Sequence, residues 1–169
     1  MKGFLMKTGP FALIAATLLL ASPFALFAQS PNPVPTTKVR DIYPQSAQAK
    51  ARVQKAMQLA KQQHKRVILN FGTDQCADCQ VLEKYLHADV NQAQIDKYYL
   101  VVNVDIGKKH NLNLDIASRY GFSLDNGIPA LAVIDGSGHV IHAPTKGEFT
   151  RARYMNEGDV TEFLNRWHG

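Results

Sequence analysis

Cys76 and Cys79 are the only cysteines in a chain of 169 residues, and they stand where one periodicity gives way to another. Ahead of them, Val67-Ile68-Leu69-Asn70-Phe71 is a short apolar run, the pattern of a strand buried on both faces. Behind them, residues 80–87 carry apolar side chains at helical spacing. A Cys-x-x-Cys at a strand-to-helix junction is the layout of a dithiol redox site, because the helix N-terminus favours a thiolate. A bridge across so short a loop constrains the unfolded chain little, so a purely structural disulfide explains the pair poorly.

The first residues fix the compartment. Over 1–28, Lys2 and Lys7 precede an apolar run from Phe11 to Leu20, and Ala28 offers a small residue at a cut site. That is the build of an export signal, with an uncleaved anchor as the other reading. The expected location is periplasmic or secreted, where a cysteine pair is either oxidised or kept reduced by a dedicated donor. Residues 29–45 are proline-rich and aperiodic and read as a linker, leaving 46–169 as the domain. Without Lys2 and Lys7 the chain has 17 basic against 14 acidic residues, a net +3, with no dense basic block. Nucleic acid is therefore not an expected partner.

Along the domain, Ser46 is the expected N-cap of a helix over 47–64, with Ala49, Val53, Ala56, Met57 and Ala60 on one face. A further helix is expected over 91–98, and Leu100 to Asp105 reads as a second buried strand. Asn113 is the expected cap of a short helix that Gly121 stops. Gly127-Ile128-Pro129 precedes a third strand over 130–134, and Asp135-Gly136-Ser137-Gly138 turns it into a fourth. Asp159 to Glu162 resembles a capping box opening a last helix. This order predicts an α/β fold: a central mixed sheet, first a parallel pair joined by helices, then an antiparallel hairpin, with helices on both faces.

Over roughly residues 46–168 the chain resembles the thioredoxin superfamily. The resemblance rests on Cys76-Ala77-Asp78-Cys79 after a strand, on Ile128-Pro129 before the hairpin, and on the element order. It is similar in flavour to secreted bacterial members whose site reads Trp-Cys-Pro-Asp-Cys; here Gln75 replaces the Trp and Ala77 the Pro. The resemblance implies that Cys76 is the exposed nucleophile and Cys79 the resolving thiol. It implies that Pro129 is a cis-proline facing the dithiol, and that Gln75, Ala77, Asp78, Ile128 and Pro129 border the substrate. Protein disulfides are the implied substrates, with an external electron donor or acceptor, a membrane-bound one included. No cofactor or metal is expected, and a monomer is.

Two positions depart from the family pattern. Asn70 stands six before Cys76, where a buried Asp is usual, and Val101 matches the usual Lys on the next strand. Asn70 cannot take a proton from Cys79. Asp78 disfavours a neighbouring thiolate, which together with Ile128 points to reductase or isomerase chemistry rather than oxidase chemistry. Two other classes compete. One is a non-catalytic binding module on the same scaffold. The other is a copper or zinc site built from Cys76, Cys79 and a histidine such as His87. Arg151, Arg153 and Tyr154 fall in an unusually long connection to which the sequence alone assigns no chemistry.

Overall fold

The computed structural model describes residues 41–44 and 46–169, so the expected leader and most of the linker lie outside the described residues. Strand β1 (Arg66–Gly72) is buried from Val67 to Gly72, as its apolar run requires. Strand β2 (Tyr99–Asp105) lies parallel to it, with Arg66 opposite Tyr99 and Gly72 opposite Asp105. Strand β3 (Ala130–Ile134) runs antiparallel along the other side, Val67 facing Ile134 and Phe71 facing Ala130. Strand β4 (Val140–His142) completes the order β2-β1-β3-β4. The parallel pair needs a crossover, supplied by α2 (Ala77–Leu86) and α3 (Asp89–Tyr98).

Alternation along β1 sends side chains to two separate cores. Val67, Leu69 and Phe71 pack with Ala49, Val53, Ala56 and Ala60 of α1 (Ala49–Gln63) and with Ile116 of α4 (Leu114–Arg119). Ile68 packs on the opposite face with Leu82 and Leu86 of α2, and with Phe163 and Leu164 of α5 (Glu157–Arg166). By the same alternation Asn70 faces α2. The sheet therefore delivers a buried amide to the underside of the cysteine helix, where an apolar residue would otherwise continue the core.

Several expected element ends move. The chain enters α1 through a 3-10 turn, Ser46–Gln48, so Gln48 rather than Ser46 takes the cap position, with no side-chain cap bond. Helix α2 starts at the motif, as expected, with Cys76 at its N-cap and Cys79, Leu82 and Leu86 on its buried side. Asn113 takes the N-cap position of α4 as expected but without a side-chain cap bond; it adopts a left-handed conformation, and its Nδ2 donates to the Asp105 carbonyl 2.8 Å away. Gly121, at φ +75°, closes that helix as expected. The capping box of α5 lies three residues ahead of the expected one. Asn156 accepts from Gly158 N and Asp159 Oδ2 accepts from Asn156 N, and the earlier start turns Val160 into the core. A second 3-10 turn, Ala152–Tyr154, precedes α5 and has no counterpart in the sequence reading.

Tyr43 lies just before the first helix and is only 3% exposed. It packs where β1 ends, because Gly72 has no side chain: a Cβ there would stand 2.3 Å from the Tyr43 hydroxyl oxygen. Among the described residues no helix is long and apolar enough to cross a membrane.

Candidate active site

The loop from Thr73 to Gln75 leaves the buried end of β1 and delivers Cys76 to the N-cap of α2. Cys76 N donates to Thr73 O at 3.0 Å, tightening that turn. Cys76 takes an extended conformation, φ −86° and ψ 110°, and its Sγ accepts the Cys79 backbone N–H at 3.1 Å. A sulfur here fills the role a Ser or Asp oxygen fills at an ordinary helix start. Negative charge on it is stabilised by that N–H and by the helix dipole. Cys79, one turn further in, is fully buried, whereas Cys76 is half-buried. The two are joined as a disulfide with Cα atoms 5.2 Å apart. One sulfur is thus open to a partner and the other is shielded behind it.

Gln75 and Ala77 are exposed on either side of Cys76, and Asp78 is half-buried. Asp78 Oδ1 accepts both the backbone N–H of Arg153 at 2.9 Å and its Nε–H at 3.2 Å. Those bonds, the backbone one foremost, hold the Asp78 carboxyl below its ordinary value, with Arg151 adding to the effect. The connection carrying Arg151, Arg153 and Tyr154 therefore reaches the motif itself.

The Ile128-Pro129 peptide bond is cis, and Pro129 is buried. Ala130 pairs with Phe71, so one step back along β3 brings Pro129 beside the end of β1, next to the loop that leads to Cys76. The site residues read from the sequence thus gather at one end of the sheet: Gln75 to Cys79 from the β1–α2 junction, Ile128 and Pro129 from the entry to β3.

Beneath them lies a polar cluster in which Asn70 and Tyr43 are buried and Glu83 and Asn103 partly so. Tyr43 Oη donates to Asn70 Oδ1 at 3.1 Å. Asn70 Nδ2 donates to Asn103 Oδ1 at 3.1 Å and to Glu83 Oε2 at 3.3 Å. Asn103 Nδ2 donates in turn to Glu83 Oε1 and to Ile42 O, each at 3.0 Å. Asn103 is the register partner of Asn70 on β2, and Val101 lies two residues earlier, opposite Ile68. Burial, with Glu83 second, pushes the Tyr43 phenol above its ordinary value, so it keeps its proton and remains a donor. Tyr43, Glu83 and Asn103 of this cluster, and Arg153 on Asp78, are the contacts to which the sequence alone assigned no role. Glu83 alone carried a signal: it lies four residues beyond Cys79, on the same helical face.

His87, weighed with the cysteines as a metal ligand, instead meets Glu83 at 3.2 Å and Gln92 at 2.6 Å. Among the described residues no group of three His, Cys, Asp or Glu side chains is placed to hold a metal ion.

A mixed sheet with a half-exposed and a buried cysteine at a helix start defines the class: a thiol–disulfide oxidoreductase. A family model described as a thioredoxin-like domain matches residues 53–156. The crystal structure of a disulphide isomerase from Xylella fastidiosa Temecula1 is similar at 34% identity and a TM-score of 0.72, with 76% of this chain and 97% of that one covered. A thioredoxin from Thermus thermophilus shares 16% identity over 67% of this chain and 81% of its own, with a TM-score of 0.48. The reduced DsbD C-terminal domain of Neisseria meningitidis shares 20% over 69% and 95%, with a TM-score of 0.44. Comparison with curated proteins gives no match. The chain belongs to the thioredoxin-like family.

Proposed function

We propose that this is an exported reductase or isomerase of protein disulfides, with Cys76 as nucleophile and Cys79 as resolving thiol. The carrying observation is the asymmetry of the pair: Cys76 Sγ caps α2 and is half-exposed, while Cys79 is fully buried. In the dithiol state the Cys76 thiolate attacks one sulfur of a substrate disulfide. That bond breaks, the departing sulfur takes a proton, and a mixed disulfide forms. Cys79 then loses its proton and attacks Cys76 Sγ, the mixed disulfide breaks, and the substrate leaves as a dithiol. Two electrons have passed to the substrate, and an external dithiol reductant returns the pair to its reduced form.

Gln75, Ala77 and Asp78 on one side, and Ile128 and Pro129 on the other, border the path of the incoming chain. An extended substrate can pair with the backbone before Pro129 in the manner of strand addition. The substrate class follows from the proposed chemistry, and the relative from Xylella, itself described as a disulphide isomerase, supports it. Residues 1–28 serve as the export signal, 29–45 as linker and 46–169 as a monomeric catalytic domain acting in the periplasm or outside the cell.

The test is trapping. Cys79→Ser, expressed with its leader, should accumulate mixed disulfides on Cys76 in the exported fraction, visible as adducts that collapse on reduction. Cys76→Ser should form none and should not reduce insulin. Adducts absent from Cys79→Ser, or formed equally by Cys76→Ser, would reject the assigned roles.

A further inference from the structure

Asp78 stands between the two cysteines in the sequence, on the first turn of the helix that Cys76 caps, and a carboxylate near a sulfur disfavours its thiolate. The chain answers that charge from 75 residues away. The 3-10 turn Ala152–Tyr154 is anchored by fully buried Ala152, and Tyr85 Oη from α2 donates to the Met155 carbonyl at 2.9 Å. So fixed, the turn aims two donors of one residue, Arg153 N and Nε, at the same oxygen, Asp78 Oδ1. Arg153 has no other ion pair among the described residues. Its neighbour Arg151 is differently engaged, its guanidinium lying 5.1 Å from the Tyr154 ring centroid.

We propose that Arg153 is a positioning residue for the dithiol: its side chain orients and neutralises the Asp78 carboxylate, so that the motif's own charge does not suppress the Cys76 thiolate. This rests on the reading of Cys76 as nucleophile. The other charged residues on the two segments joined here are Asp74 on the loop before Cys76, Glu83 and Lys84 on α2, and Arg151 on the turn. Of these, Arg151 acts on Asp78 in the same sense as Arg153. The backbone N–H of residue 153 survives any side-chain change, so substitution removes only part of the hold. The expected effect is accordingly moderate.

The experiment is alkylation of the reduced full-length protein by iodoacetamide at pH 7, with the labelled cysteine identified by peptide mass. Arg153→Gln should slow labelling of Cys76 about 3-fold, the change in thiolate fraction that half a pKa unit brings. Arg153→Lys, which keeps the charge, should recover most of the rate. Asp78→Asn should react faster than the unaltered protein, and adding Arg153→Gln to it should change nothing further. That vanishing of the effect is the coupling a double-mutant cycle measures. A 3-fold loss that persists in the Asp78→Asn background means Arg153 acts through the turn's structure, and overturns the proposal. An Arg153→Gln rate equal to that of the unaltered protein overturns it too. Labelling of Cys79 in place of Cys76 would instead reject the assignment of the nucleophile, whatever Arg153 does.

Discussion

Asn70 occupies the place where related chains carry an acid, and the surroundings make the exchange one-way. In Asn70→Asp the amide that donates to Glu83 at 3.3 Å becomes a carboxylate facing a carboxylate. Two unit charges at that distance repel by about 5 kcal/mol at an effective dielectric constant of 20. The pair avoids most of this by sharing a proton, so its upper step titrates well above the ordinary aspartate range. The group is then protonated when folded and ionised when unfolded, between its unfolded pKa near 3.9 and its raised folded value. In that window the native state binds more protons, so stability falls as pH rises, by about 1.4 kcal/mol per unit. A folded value raised by roughly two units gives a loss of about 3 kcal/mol between acid and neutral pH, relative to the unaltered protein. At pH 4 the protonated side chain still donates one bond to Glu83 and accepts from Tyr43, but the bond to Asn103 Oδ1 is lost, a cost of about 1 kcal/mol that does not vary with pH. Urea unfolding of the oxidised protein, followed through its single tryptophan, Trp167, at half-unit steps from pH 4 to 8 measures the difference directly. Parallel stability profiles for Asn70→Asp and the unaltered protein would refute the argument, because they would mean that Glu83 does not face position 70.

The same cluster makes Tyr43 testable. Tyr43→Phe should cost about 1–2 kcal/mol by orphaning a buried acceptor on Asn70, whereas Gly72→Ala should cost about 2–3 kcal/mol by driving a methyl into the ring. Combining the two changes should cost less than their sum in urea unfolding, since both disturb one contact. Just past the turn that carries Arg153, Asn156→Ala removes the α5 cap and should lower stability by about 1 kcal/mol. Tyr85 still holds the neighbouring Met155 carbonyl, so the alkylation rate of Cys76 should stay unchanged; a slowed rate would show that the α5 cap helps to set the turn that holds Asp78.

What sequence reading recovered is what neighbouring residues decide among themselves. The apolar run of β1, the cysteine pair at its exit, and the Gly-Ile-Pro before β3 are each written within a few positions, and sheet order follows from the alternation of elements. What it missed depends on register and on packing between distant segments. Nothing local tells Asn70 that Asn103 lies opposite, or that Tyr43, 27 residues upstream, supplies its donor. Arg153 was visible only as part of a long connection, because its partner is set by how a 3-10 turn docks on α2. The capping box was misplaced for a simpler reason: Asn156 and Asp159 offer the same spacing as Asp159 and Glu162, and only the burial of Val160 chooses between them.

In the proposed mechanism Cys76 is at once the residue that reacts and the residue that caps the start of α2, and this bears on what a catalytic cycle must rearrange. The Sγ that accepts the Cys79 N–H is the atom that changes bonding partner. Whether that sulfur is bonded to Cys79, to a substrate or to nothing, it retains a lone pair for the same backbone donor. The start of α2 therefore need not be rebuilt as electrons come and go, and the scaffold can stay still while covalent bonds are exchanged upon it.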